Sequence, residues 1–219
     1  MDPGSVAPTV YAATRDRLVR NVLEPVLGPL EVEAFSPAGR GGPGHVARLR
    51  SHFPRMIEAG DRSLLPAGTD WDALLSQSFV EALDQLDQRL GADLSGWRWG
   101  TVHHTRPRHP LRAAFPDLAN LLDPPSVPMG GDGDTPQAGS YSPGEQFVMT
   151  SMSVARYAFD LADWDNSRWV VPLGSSGHPG SGHYADQAPV WQRVQMLPMI
   201  YNWEKLEAEA ESKQPVLPR

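Results

Sequence analysis

The chain has 219 residues, 40% of them hydrophobic, and a formal net charge of −7 from 19 Lys and Arg against 26 Asp and Glu. That length sustains one or two hydrophobic cores, no stretch reaches the roughly 18 apolar residues of a membrane span, and without a basic run the footprint of a nucleic-acid binder is missing. Zero cysteines exclude disulfides, a thiol nucleophile and thiolate metal sites, and fit an exported and a cytosolic protein equally.

Between Val10 and Leu30, the residues Val10, Tyr11, Leu18, Val22, Val26 and Leu30 recur at mostly four-residue steps. This predicts an amphipathic helix that Pro25 ends or kinks. Ser36 to Gly44 holds four glycines and two prolines and reads as a turn-rich loop, and Val46 to Ile57 as a second helix broken at Pro54. The clearest pattern runs from Asp70 to Leu90, with Trp71, Leu74, Leu75, Phe79, Leu83, Leu86 and Leu90 in one stripe. Thr69 or Asp70 can accept from the free N–H groups of its first turn, and Gly91 suits the left-handed position after its end. Asp72, Glu81, Asp84, Asp87 and Gln88 on the other side read as solvated surface.

From Phe147 onward the period becomes two. Tyr157, Phe159 and Leu161 alternate with Arg156, Ala158 and Asp160, and Trp169-Val-Val171 forms a second β-rich run. The turn-tolerant Ala162 to Ser167 between them predicts an antiparallel hairpin. From Glu204, alternating acids and alanines predict a helix that frays into disorder towards Arg219. The chain thus reads as α+β, with a helical first half and an antiparallel β second half. Its expected divisions are a mainly helical segment at 1–130, a β-rich segment at 131–203 and a tail at 204–219, with no internal repeat.

Four groups of residues invite chemistry. His103, His104 and His109 lie close in sequence, but Arg106, Arg108 and Arg112 surround them and no acid follows until Asp117, which disfavours a cation site. Asp132 and Asp134 open like a calcium-binding EF-hand, yet the sixth position is Gln137 and the twelfth Pro143, so an Asx-turn is expected. Ser181, His183 and Asp186 hold the residue types of a serine triad, but triad members converge from separate segments, and Gly174-Ser-Ser-Gly-His is not a nucleophile elbow. Instead, His183, Tyr184 and Asp186 are expected to pin this loop against the sheet. The tryptophans Trp97, Trp99, Trp164, Trp169, Trp191 and Trp203 could line a pocket and are expected mostly in the core. No catalytic, cofactor-binding or metal-ligating residue is therefore assigned.

The run Gly174-Ser-Ser-Gly-His-Pro-Gly-Ser-Gly-His-Tyr-Ala-Asp-Gln-Ala-Pro-Val-Trp191 combines a glycine-dense loop with polar and aromatic residues at fixed offsets. It follows Ser167-Arg-Trp-Val-Val-Pro-Leu-Gly174. Upstream, in order, stand Leu94-Ser-Gly-Trp-Arg-Trp-Gly100 with His103, then His109-Pro-Leu111, then Gly130-Gly-Asp-Gly-Asp-Thr135. Together these elements, from about Trp71 to Trp203, resemble the C-terminal part of the penicillin acylase family, with Ser175 where the family usually has glutamine. The resemblance implies part of an αββα N-terminal-nucleophile sandwich. It also implies amide hydrolysis by a serine whose own α-amino group is the base, passing through an acyl-enzyme with oxyanion donors.

In the family that serine opens a Ser-Asn-x-Trp-like sequence far upstream. The candidate here, Ser5, is followed by Val6, Ala7 and Pro8 and does not match. The resemblance therefore implies a C-terminal portion that partners the upstream half of the same enzyme. The substrate would be a small-molecule amide, with no cofactor held by this chain and calcium possible in the intact enzyme. Localisation stays open, the periplasm or the exterior being compatible with such a parent. The alternative is a non-catalytic binding or interaction domain derived from such an enzyme, and a third reading is a hydrolase working through the histidine cluster or the Ser181 loop.

Overall fold

A computed structural model describes residues 1–35, 42–142 and 147–215. The chain forms two units, one of Met1–Pro107 with Ser126–Met152, the other of Arg108–Pro125 with Ser153–Arg219.

In the first unit, helix α1 (Ala7–Leu27) is followed by a short 3-10 turn, α2 (Glu31–Phe35), α3 (Gly42–Glu58), α4 (Trp71–Leu90) and the single turn α5 (Trp99–Val102). Helix α1 lies antiparallel to α4. Its first half packs Ala12 and Ala13 with Ala82 and Leu86, and its second half packs Leu18, Val19, Val22 and Leu23 with Trp71 and Leu74. The small residues at Ala12 and Ala82, both fully buried, let the two helices approach closely. Asn21 donates to the Ser78 hydroxyl at 3.0 Å, so even the polar residues of this seam are used.

Helix α4 has the limits expected of it. The Asp70 carboxylate accepts from the Ala73 N–H at 2.8 Å, and Gly91 ends the helix at φ 77°. Its buried face is Trp71, Leu74, Ser78, Ala82 and Leu86, which leaves Phe79 exposed although it belongs to the apolar stripe. Glu81 also departs from the solvated reading. It accepts from Arg17 and Asn21 of α1 and from Gln77. Burial alone would raise its pKa, but these bonds hold it down to about 2.

The two proline expectations fare differently. Pro25 lies inside α1, which ends two residues later at Leu27, so it removes a hydrogen bond only from the last turn. Tyr11, Val26 and Leu30 of the expected stripe are exposed. Helix α3 runs through Pro54 without ending, where a break was expected. Its neighbour Phe53 is buried against Trp71, with ring centroids 5.8 Å apart, and this packing offsets the proline's cost of about 3 kcal/mol. The helix already includes Gly42 to Gly44, expected as loop; the rest of that loop, 36–41, lies outside the described residues.

The first unit closes with an antiparallel pair, β1 (Gly139–Tyr141) and β2 (Met149–Met152), whose register shifts between Ser140 and Tyr141. Trp99 organises the core beneath it. Its indole N–H donates to the Gly131 carbonyl at 2.9 Å, its face stacks on His103 with centroids 4.4 Å apart, and Tyr141 and Phe147 meet it edgewise or tilted. The N-terminal segment runs alongside. Gly131 donates to the Met1 carbonyl at 3.0 Å, Gly100 to Pro3 at 2.8 Å and Trp99 to Ser5 at 2.8 Å. A Cβ at Gly100 would stand 2.9 Å from the Pro3 side chain, which is why only glycine admits this segment.

In the second unit, α6 (Ala119–Leu122) is followed by β3 (Arg156–Ala158), β4 (Arg168–Val170), α7 (Ala188–Gln192), β5 (Leu197–Pro198) and α8 (Trp203–Glu209). The sheet order is β3-β4-β5 and both pairs are antiparallel. The expected hairpin forms, with Tyr157 opposite Trp169. Trp191 is fully buried, and the Arg156 guanidinium lies over it at 3.6 Å. Trp97, Trp99 and Trp191 are core residues, but Trp164, Trp169 and Trp203 are 51%, 39% and 69% exposed and contradict the core expectation. The α+β class read from the sequence is the class observed. Residues 216–219 of the tail lie outside the described residues.

Candidate functional site

Residues 171–187 of the second unit form a loop closed at its base. Val171 donates to the Gln187 side chain at 3.0 Å, and Gln187 donates back to the Leu173 carbonyl at 2.8 Å. Further along, Ser176 donates to the His183 carbonyl at 3.0 Å. Gly174 sits so close to the opposing strand of this loop that a Cβ would be 2.1 Å from the His183 carbonyl oxygen. The Tyr184 hydroxyl then ties the loop to α6 by donating to the Leu122 carbonyl. His109 accepts from the Leu111 N–H at 3.1 Å through Nδ1 and so caps the turn in front of α6, while its own N–H is held by Asp123. An open cleft of about 560 Å³ lies here, walled by Leu111, Leu121, Leu122 and Pro179, with His109 and His178 as its polar groups.

Within this loop the triad reading fails on geometry. The His183 Nδ1 is 2.9 Å from Asp186, and its Nε2 is 3.1 Å from Glu211. Both ring nitrogens are therefore committed to carboxylates. Ser181 instead accepts from the His183 backbone N–H at 3.1 Å, and the His183 imidazole is directed to the two carboxylates. The bonds to Asp186 and then Glu211 raise the His183 pKa, which favours a charged clamp over a general base. His183, Tyr184 and Asp186, expected to pin the loop against the sheet, instead bond within the loop, to α6 and to Glu211. Glu211 was not legible as a member, because it lies 28 residues away in a tail that reads as polar surface.

The first unit holds a second group, built on Asp132 and Asp134. Asp132 is fully buried and accepts from Arg15 at 2.6 Å. Its other oxygen accepts from the Asp134 N–H at 2.9 Å, which is the expected Asx-turn. Asp134 takes Arg15 at 3.0 Å and the Ser51 hydroxyl at 2.8 Å. Arg50 adds a bond to Asp16 at 3.1 Å and stacks over Tyr141. A calcium ion does not fit this loop, since both carboxylates already neutralise Arg15 and the backbone uses a further oxygen. Among the described residues, no three His, Asp or Glu side chains converge as a metal site.

The histidines near residue 103 are dispersed. The His103 Nδ1 bonds the Phe147 carbonyl at 2.7 Å, and its Nε2 is buried without a hydrogen-bond partner among the described residues. Burial lowers its pKa, against the pull of Phe147 and Asp132. His104 bonds Ser126 and the Thr105 carbonyl, while His109 belongs to the second unit. Ser5 accepts from the Ala7 N–H at 3.3 Å at the start of α1. It lines an open cleft of about 490 Å³ with Tyr11, Arg15 and Thr135.

No helix among the described residues is long and apolar enough to cross a membrane. The family model for penicillin amidase matches residues 1–208. The chain is 40% identical over 220 residues to the penicillin acylase 2 proenzyme of Pseudomonas sp. strain SE83, an alignment that covers 100% of this chain and 27% of that protein. It is also similar to the acyl-homoserine lactone acylase QuiP of Pseudomonas aeruginosa, at 27% identity over 158 residues, covering 67% of this chain and 19% of the relative. The QuiP of Pseudomonas fluorescens strain Pf-5 is 24% identical over 204 residues, with 89% and 23% covered. The chain thus spans about a quarter or less of the length of these curated relatives.

Proposed function

Because this chain belongs to the penicillin amidase family, we propose that it is the carboxy-terminal portion of an amidohydrolase whose serine nucleophile lies outside these 219 residues. The observation that carries this reading is the identity of 40% along the whole chain to an acylase of which it spans 27%. The disposition of the candidate side chains supports it. Ser181 and His183 are bonded away from each other, and Ser5 follows residues that are tied down by Gly100 and Gly131.

In this reading the intact enzyme cleaves a small-molecule amide by serine attack on the carbonyl, forms an acyl-enzyme and releases it to water. This chain contributes helices and strands to the αββα sandwich. The 171–187 loop is its rigid element, since Gln187, Tyr184 and Gly174 fix it by bonds and close approach that leave little freedom. Rigid placement of such loops is how a scaffold holds reacting groups supplied by other segments.

The test compares the chain alone with the chain co-expressed with the remaining portion of the Pseudomonas acylase. A chromogenic phenylacetyl amide and a long-chain acyl amide are the substrates. Hydrolysis by the pair, and none by the chain alone, is expected. Turnover by the chain alone that Ser181→Ala abolishes would overturn the proposal.

A further inference from the structure

Beside the α1–α4 seam of the first unit lies a small cleft of about 60 Å³ that has no part in the proposed reaction. Its apolar lining is Ala13, Leu86 and Phe147, all three buried. Its charged lining is Arg17 and Arg20 from α1 and Arg89 from the last turn of α4. Among the described residues the one acid lining it is Asp16, which is already taken by Arg50 at 3.1 Å. In a chain with 19 Lys and Arg against 26 Asp and Glu, three guanidiniums around one recess run against the overall charge.

Each of these arginines is held on one side only. Arg17 gives its Nε to Glu81, and Arg20 gives one terminal nitrogen to Glu24 at 3.1 Å. Their other guanidinium N–H groups have no hydrogen-bond partner among the described residues. Arg89 bonds no carboxylate among those residues and rests over the Phe147 ring, 5.7 Å from its centroid. A cation in the last turn of a helix offsets the helix dipole, which accounts for Arg89 but not for Arg17 and Arg20 in the body of α1. Like charges gathered against an apolar lining repel more strongly than in water, so an anion between them relieves a cost that the free cleft carries. The donor fork of a guanidinium matches the oxygens of such an anion.

We propose that this cleft binds a small oxyanion of the phosphate type, held by Arg17, Arg20 and Arg89. Size selects the ligand. One water needs about 10–15 Å³ of such volume, so a cleft of about 60 Å³ admits a group of roughly four to six non-hydrogen atoms. That is a single phosphoryl group, and it is too small for an acyl chain or a sugar. The free ion and the terminal phosphate of a larger molecule share this chemistry. Bound there, the anion ties the end of α4 to the middle of α1 and stabilises the pair by mass action. The site lies within the first unit and is independent of the amidohydrolase reading.

The experiment titrates the 219-residue chain, alone and co-expressed with the remaining portion of the Pseudomonas acylase, with inorganic phosphate and with glycerol phosphate. Ionic strength is low and constant, and chloride is the blank. Calorimetry and the NMR shifts of the Arg20 and Arg89 Nε–H groups are the readouts. Saturable binding with a Kd at or below about 1 mM is expected, together with a Tm that rises with phosphate. Arg89→Gln is the test variant. It leaves no carboxylate without its partner, so the fold is kept, and it should weaken binding roughly tenfold through the loss of charge-assisted bonds. Arg98→Gln removes the same charge from an exposed position of the same unit outside the cleft lining, and should leave binding unchanged. Tighter binding of the free ion makes free phosphate the ligand, and tighter binding of the ester makes it the terminal group of a larger molecule; either upholds the site. Unsaturable binding that marks an adventitious ion only, equal weakening in the two variants, or an Arg89→Gln chain that binds like wild type would each overturn the proposal. So would binding by the free chain that disappears in the co-expressed pair, since a carboxylate of the added portion would then be the occupant.

Discussion

Replacing Asp132 by asparagine removes one negative charge from a buried ionic group and alters almost nothing else in shape. The oxygen that accepts from the Asp134 N–H at 2.9 Å is kept. The oxygen that takes Arg15 at 2.6 Å becomes an amide, whose N–H then faces a guanidinium N–H. Breaking a buried ion pair from one side costs about 3–5 kcal/mol, because the remaining charge stays out of water. Here Asp134 still faces Arg15 at 3.0 Å and is partly solvated, so the loss is smaller, about 2–4 kcal/mol. For a chain of this size that corresponds to a fall in Tm of roughly 5–15 °C. The assay is urea unfolding followed through hydrogen exchange of the α1 amides, combined in a double-mutant cycle with Arg15→Met. The paired change Arg15→Met with Asp132→Asn should recover more than half of the loss, since no fully buried charge is left unpaired: Asp134 is partly solvated and still has Arg50 at 3.9 Å. A single-variant effect below about 0.5 kcal/mol, or strictly additive variants, would refute the ion-pair argument.

The buried His103 gives a pH dependence with a definite sign. Its folded pKa lies below the ordinary value, so the stabilisation it lends to the neutral form is present above about pH 6.5 and is lost as pH falls through the folded pKa; unfolding by urea at pH 7.5 and pH 5 should show this, and His103→Asn should flatten the slope. His183 has the opposite sign, being raised by Asp186 and Glu211, so protection of the 176–187 amides, corrected for intrinsic exchange, should weaken as pH rises above about 6.5, and Glu211→Gln should reduce the effect. Gly174→Ala should open the base of the same loop, because the added methyl meets the His183 carbonyl oxygen at 2.1 Å, and unchanged exchange at Gln187 would contradict this. Asp70→Ala should cost about 1 kcal/mol through loss of the α4 cap, read from the urea midpoint.

What could be read in advance was whatever a short window encodes. Helix α4 carries its start at Asp70, its periodicity and its stop at Gly91 within some twenty residues, and the Tyr157–Trp169 hairpin is similarly local. The motif order that suggested the family is also a property of the chain as written. Failures came where distant partners decide. Pro54 was expected to break a helix that Phe53 holds in place through Trp71. Glu81 looked like solvated surface because Arg17, its partner, lies 64 residues away. Likewise Arg15 carries no signal of burial, since its neutralising carboxylates stand 117 and 119 residues downstream. The tryptophans divided between core and surface for a related reason, as a sheet face is buried only where something covers it, and sequence periodicity does not name the cover.

The same long-range pairing has a consequence during synthesis. Arg15 leaves the ribosome 117 residues ahead of Asp132. At translation rates of about 5–20 residues per second, helix α1 then waits for roughly 6 to 23 s before its buried cation can be neutralised. Only once Leu90 has followed can the α1–α4 hairpin form, and the β1–β2 lid over Trp99 cannot form until Met152 is out. Residues 108–125, which go to the other unit, emerge within this gap. The nascent chain therefore exposes the Trp99 core while it is still being made, and this is the stage at which a chaperone that recognises exposed aromatic surface would have its substrate.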